Sequence, residues 1–130
     1  MKLESSKVIV TKRQEALFSA LEKVENFEKL MPDSISKFQI INENSFVFAL
    51  KGMPEIALEK KTALPHSQII FGATSGKIPF SLIINLSPTG DNQTQVQFLF
   101  EGSFNPMIAM MIKSPIEKFI ETLASKLNQL

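Results

Sequence analysis

The last quarter of the chain constrains the fold most, because residues 106–130 offer about 36 Å of helix at roughly 1.5 Å per residue, enough to cross a small domain. Ile108, Ile112, Ile116, Phe119, Ile120, Leu123 and Leu127 recur at helical spacing and form one apolar stripe. A stripe of that length needs a sheet beneath it. The opposite side changes character along the run, where Met107, Met110 and Met111 give way to Ser114, Glu117, Lys118 and Glu121. The first turns are therefore apolar nearly all round, and the remainder is amphipathic. Something other than bulk water is expected to face the methionines.

Upstream, residues 3–10 read as a first strand, β-branched toward its end. Thr11, followed three residues later by Gln14, is a capping-box pattern that opens a helix with Ala16, Leu17, Ala20, Leu21 and Val24 on one side. Asn26 fits a second cap, for a short helical turn over residues 27–31 that Pro32 ends. From Ser34 onward the texture is that of a β-meander, with strands expected at residues 37–41, 45–51, 55–64, 68–74, 80–87 and 94–102. Turn formers separate them at residues 42–44, 52–54, 65–67, 75–77 and 88–92.

Side chains alternate across a strand, and this assigns the faces. Phe38, Ile40, Phe46, Phe48, Leu50, Ile69 and Phe71 share an inner face with Phe80, Leu82, Ile84, Leu86, Val96, Phe98 and Phe100. Gln39, Lys51, Glu59, Lys61, Asn85, Gln95 and Glu101 take the other phase, the wet side of an antiparallel sheet. The expected architecture is α+β: a curved seven-stranded antiparallel sheet wrapped around a long C-terminal helix, with two short helices between the first and second strands. At 130 residues the chain is expected to be one domain, residues 1–130, with a core that needs no staples.

This layout resembles the START-like superfamily, which includes Bet v 1 and polyketide cyclases. The resemblance is carried by Asn26-Phe27-Glu28-Lys29-Leu30-Met31-Pro32 after the first helix, and by Pro79-Phe80 at the start of a strand. The Pro88-Thr89-Gly90 turn followed by Thr94, and the helix segment Pro115-Ile116-Glu117-Lys118-Phe119, carry it further. It covers the whole chain and consists of patterning, not of chemical signatures. It implies a helix-grip fold that holds a small hydrophobic ligand, such as a lipid, quinone, sterol or polyketide, between sheet and C-terminal helix. Some relatives are enzymes of the polyketide cyclase kind. This chain has no tyrosine or tryptophan, so it lacks the polar aromatic groups with which some relatives orient ligands.

A meander brings alternate turns to the same end of the sheet, and the internal methionines Met31, Met53, Met107, Met110 and Met111 then gather at one end. Methionine is flexible and polarizable and suits varied apolar partners; it also fills gaps in cores, and both readings hold if the gap is the cavity. The expected ligand-binding set is these five residues with Phe46, Phe48, Phe71, Phe80, Leu82, Phe98 and Phe100, around a cavity that opens near Met53, Lys77 and Met107. Asp33 stands in the loop at that mouth. Lys60 and Thr62 share the phase of Ile56 and Leu58 and point inward unless a bulge intervenes. Pro115, inside the helical run, is expected to kink it or to mark a break near Lys113 and Ser114.

Other chemistry finds little support. With no cysteine there are no disulfides or thiol sites, and this fits a reducing compartment. His66 is the only histidine, in a turn at the far end from the methionines, so neither a catalytic residue nor a metal site is expected. No cofactor motif is present. A net charge of +1 with a single arginine, Arg13, argues against nucleic acid as a partner. No apolar run is long enough to span a bilayer, so stable membrane insertion is not expected and a cytoplasmic location is. Two alternatives stay open. One is a cyclase-like enzyme using Lys60 or Asp33, and the other is an interaction module in which residues 107–112 meet another chain or a second copy as a homodimer.

Overall fold

The computed structural model describes residues 1–53, 55–74 and 80–130. Among them the order is β1 (Lys2–Glu4), β2 (Val8–Val10), α1 (Gln14–Glu22), a 3-10 helix (Val24–Leu30), β3 (Ile35–Asn42) and β4 (Ser45–Leu50). There follow β5 (Ile56–Leu64), β6 (Gln68–Ala73), β7 (Phe80–Gly90), β8 (Gln93–Gly102), α2 (Pro106–Ser125) and a last 3-10 turn at Leu127–Gln129. The strands form one antiparallel sheet in the order β1-β8-β7-β6-β5-β4-β3, with β2 also paired to β8. This is an α+β helix-grip fold. No helix is long and apolar enough to cross a membrane.

The sheet has eight strands where seven are expected, because the first strand is broken by a bulge. Leu3 pairs with Phe100 and Val8 with Val96, so one extra residue is inserted between them. The reason is parity. Leu3, Val8 and Val10 cannot share a face in an unbroken strand; the inserted residue brings Val8 and Val10 round to the core and turns Ile9 outward. Ser5 closes the break, giving its amide to the Phe98 carbonyl (2.8 Å) and accepting the Phe98 amide on its hydroxyl (2.9 Å). Both short helices accordingly lie between β2 and β3.

Local capping also differs from expectation. Thr11 does not cap α1; its amide and hydroxyl both donate to the Asn128 side chain (2.9 and 3.1 Å), which ties the start of the helix to the C-terminus. Asn26 sits inside the 3-10 helix and donates its side-chain amide to the Ala20 carbonyl at 2.8 Å, closing α1 instead of opening the next turn. At α2 the signals agree, with Asn105 accepting the Ile108 amide (2.9 Å) and Pro106 in the first turn. The helix is assigned unbroken through Pro115.

Packing on the inner face is aromatic. Phe27, from the 3-10 helix, stacks on Phe46 (5.1 Å between ring centres) and meets Phe71 edge-on at 5.3 Å, all three fully buried. Phe48 stacks on Phe119 of α2 at 4.6 Å with the rings 11° apart. Ile40, expected on the same face, is 44% exposed; it lies on the edge strand β3, beside the register shift between Ile40 and Asn42. A Cβ at Gly102, where the chain leaves β8, would stand 2.5 Å from the Phe104 ring and 3.0 Å from the Phe80 Cβ, so a larger residue there would displace the Phe104 ring.

Truncating a fully packed phenylalanine removes both its buried surface and its partner's contacts. Phe48→Ala should therefore cost about 3–5 kcal/mol of unfolding free energy, read from urea denaturation followed by circular dichroism.

Candidate functional site

The helix stripe is not covered evenly. Ile116, Phe119, Ile120, Leu123, Ala124 and Leu127 are buried, whereas Ile108 and Ile112 are half-buried and Met107, Met110 and Met111 are exposed by 74%, 83% and 67%. The second half of α2 is thus held by the sheet and the first half projects from it. Between the two, at Ser114 and Pro115, the helix borders a recess of about 460 Å³.

Three segments build this recess. The loop after the 3-10 helix supplies Pro32, Asp33 and Ser34; the end of β4 supplies Leu50 and Lys51; α2 supplies Ser114, Pro115, Lys118, Phe119 and Thr122. A backbone hydrogen bond from the Lys51 amide to the Ser34 carbonyl (2.9 Å) fixes the first two segments together, and one from the Ile35 amide to the Pro32 carbonyl (3.1 Å) closes the loop on itself. Gly52, at φ 80°, and a bond from the Met53 amide to the Leu50 carbonyl (2.9 Å) turn the chain away just past Lys51. On the helix side, the Lys126 ammonium donates to the Met31 carbonyl at 2.8 Å and anchors α2 to the loop.

The inner wall is apolar, formed by the buried Leu50 and Phe119 with Pro32 and Pro115 beside them. The outer rim is polar and carries Asp33, Lys51 and Lys118, all exposed. Among the described residues none of these three is in an ion pair, whereas Lys2, Arg13, Lys37, Lys60 and Lys61 each are. No group of three His, Cys, Asp or Glu side chains among the described residues is placed to hold a metal ion.

A larger recess, of about 680 Å³, lies on the sheet's other face, where Gly72 and Ser81 leave room beside Lys2, Lys61 and Glu101. No residue of α2 lines it, and its lysines are engaged by Glu4, Glu59 and Glu101. The smaller recess is the better candidate, because it adjoins the helix and joins an apolar wall to a polar rim.

Of the residues expected to bind ligand, Met31, Phe46, Phe48, Phe71, Leu82, Phe98 and Phe100 are buried in the core, and Met53 and Phe80 are half-buried at its margin. Asp33 alone among the expected site residues lines the recess under the helix, while Phe80 borders the outer one. Neither Met53 nor Met107 lines the recess at α2. Pro54, Lys77 and the rest of residues 75–79, including the Pro79 step, lie outside the described residues. Lys60 and Thr62 are separated by a bulge: Lys60 pairs with Phe71 on the inner side and reaches Glu22 at 3.5 Å, while Thr62 is turned out to solvent and Ala63 takes the inner position. His66, at φ 72°, stands in the β5–β6 turn against Phe18, away from the recess.

Lys51, Lys118, Ser114 and Thr122 were not among the expected site residues. A signal for three of them exists, since 114, 118 and 122 recur every four residues and form a polar strip along the border of the apolar stripe.

No protein-family model matches the chain, and no curated protein matches it in sequence. Solved structures do. A protein of Thermus thermophilus superposes with a TM-score of 0.76 at 10% identity, over 99% of this chain and 95% of that one. A START superfamily protein of Mycobacterium smegmatis gives 0.69 at 14% identity, over 98% and 97%. Norcoclaurine synthase of Thalictrum flavum, in complex with dopamine and hydroxybenzaldehyde, gives 0.73 at 10% identity, over 99% and 84%. The fold is therefore START/Bet v 1-like.

The contact that anchors the recess can be removed singly. Lys126→Met should lower stability by about 1–2 kcal/mol, the worth of one charge-assisted hydrogen bond that is only partly buried. Hydrogen exchange should quicken at residues 31–35 and remain unchanged in β7 and β8.

Proposed function

We propose that this protein binds a small, largely apolar molecule between the sheet and the C-terminal helix, using the recess beside Pro115. The observation that carries the reading is the pairing of a buried apolar wall, Leu50 and Phe119, with a polar rim in one gap of about 460 Å³. Small-molecule sites usually have roughly 300–1,000 Å³ and this mixture of groups. The fold adds support, since norcoclaurine synthase, built the same way, is described in complex with two small aromatic molecules. Binding without catalysis is the simpler reading. The recess offers one carboxylate, Asp33, and two lysines, all on its exposed rim, and its inner wall of Leu50, Phe119, Pro32 and Pro115 carries no group that could move a proton.

A second reading has its own observation. Met107, Met110 and Met111 form an exposed apolar patch on the projecting half of α2, and such patches mark contacts with other chains. In that case the protein is an interaction module, or a homodimer joined through α2. Light scattering after size exclusion separates the two, because Met107→Lys with Met111→Lys would change the mass of an assembly and leave a monomeric carrier unaltered.

The ligand reading is tested by thermal shift across fatty acids, sterols, quinones and aromatic polyketides. A matching compound at about 100 times its dissociation constant adds about 2.7 kcal/mol, which raises the melting temperature by roughly 3–6 °C. Ser114→Trp, on the exposed rim, should abolish the rise by filling the gap and leave the unliganded melting temperature nearly unchanged. If no class of compound raises the melting temperature, the interaction reading replaces this one.

A further inference from the structure

We infer that the recess selects a singly charged anionic amphiphile, a molecule with one carboxylate head and an apolar body. This rests on the ligand-binding reading above and names the chemistry of its ligand. Lys51 and Lys118 come from different elements, the end of β4 and the middle of α2, and both line the one gap. Among the described residues neither ammonium has an acidic partner, which is also true of Lys7, Lys12, Lys23, Lys29, Lys113 and Lys126; what sets Lys51 and Lys118 apart is that both line one recess. Two cations are thus held at the rim of an apolar wall with their charge left to water.

Asp33 is the third charged group on that rim, and it sets the charge of the ligand. Two lysines less one aspartate leave the rim at net +1, which one carboxylate neutralises and a doubly charged phosphate overshoots. The hydroxyls of Ser34 and Ser114, without hydrogen-bond partners among the described residues, can donate to the carboxylate oxygens. Leu50 and Phe119 then take the apolar body. A neutral ligand could hydrogen-bond to these rim groups but would leave their net charge unanswered. A cationic one would meet two like charges.

The experiment is calorimetric titration of the whole chain with probes that share a body and differ in the head: decanoate, decanol, decylamine and decyl phosphate, with 2-naphthoate and 2-naphthylmethanol as an aromatic pair. Each acid should bind about tenfold tighter than its alcohol, the sum of two exposed charge contacts. Half-molar salt should erase most of that difference. Lys51→Gln with Lys118→Gln should bring each acid down to the affinity of its alcohol while the unliganded protein keeps its circular-dichroism spectrum and melting temperature, which loss of fold would not allow. Equal binding of acid and alcohol, or tighter binding of decylamine, overturns the anion preference and leaves the ligand reading standing. Tighter binding of decyl phosphate than of decanoate overturns the single charge. If none of the six binds, both the anion preference and the ligand reading fall for bodies of this size.

Discussion

The stacking of Phe48 on Phe119 is the aromatic contact between the sheet and the C-terminal helix, which also packs on β8 and β1 and buries Ile116, Ile120 and Leu123. Phe48 sits in β4, near the open edge of the sheet, and Phe119 sits in the second half of α2. Their rings lie almost parallel, and Phe48 continues into a cluster with Phe46, Phe27 and Phe71. Aromatic pairs add about 0.5–1.5 kcal/mol each beyond the area they bury, so such a cluster fixes the position of the helix as well as covering it. The 3-10 helix takes part because Phe27 is its central side chain. Without Phe27 the concave face would be left open between β4 and β6.

Once α2 is held at Phe119, its burial falls away toward its N-terminus. Ile116 is buried, Ile112 and Ile108 are half-buried, and the methionines stand in solvent. Pro115 lies at this transition. Having no N–H, it leaves the Met111 carbonyl without its helical donor, and in the exposed part of the helix water can take that place. The recess follows from the same geometry. It opens where helix and sheet part, and the loop of Pro32 to Ser34 walls it on one side because Lys126 holds that loop against α2.

Charge follows the fold as well. Several cations outside the recess are answered by neighbours on the same surface, as Lys37 is by Glu55 across β3 and the start of β5, and Lys60 by Glu22. The bulge between Lys60 and Thr62 allows the second pair, because it ends the inward phase of β5 after Lys60 and lets the ammonium reach out to the end of α1. The inward phase resumes at Ala63, a side chain small enough to pack there. Lys51 and Lys118 instead share a concave site with a single carboxylate, which is why the recess has a sign.

Periodicity alone determined the element order, the helix stripe and the inner face of the sheet, because burial on one side of a strand or helix is a local pattern that any contiguous segment displays. It also contained the break in the first strand, through the mismatched parity of Leu3 against Val8 and Val10, although bulges are read less readily than runs. Tertiary structure decided what local pattern does not encode: that Thr11 bonds to Asn128 and Ser6 to Glu121 across more than a hundred residues, so neither is free to act locally. It also decided that Phe46, Phe48, Phe71, Phe98 and Phe100 are buried in the core while Phe80 stands at its margin, and that the recess under α2 lies beside Pro115. A recess is the space left between separate segments. Its lining of Asp33, Lys51 and Lys118 exists only once the loop, the end of β4 and the helix have been brought together by contacts distant in sequence.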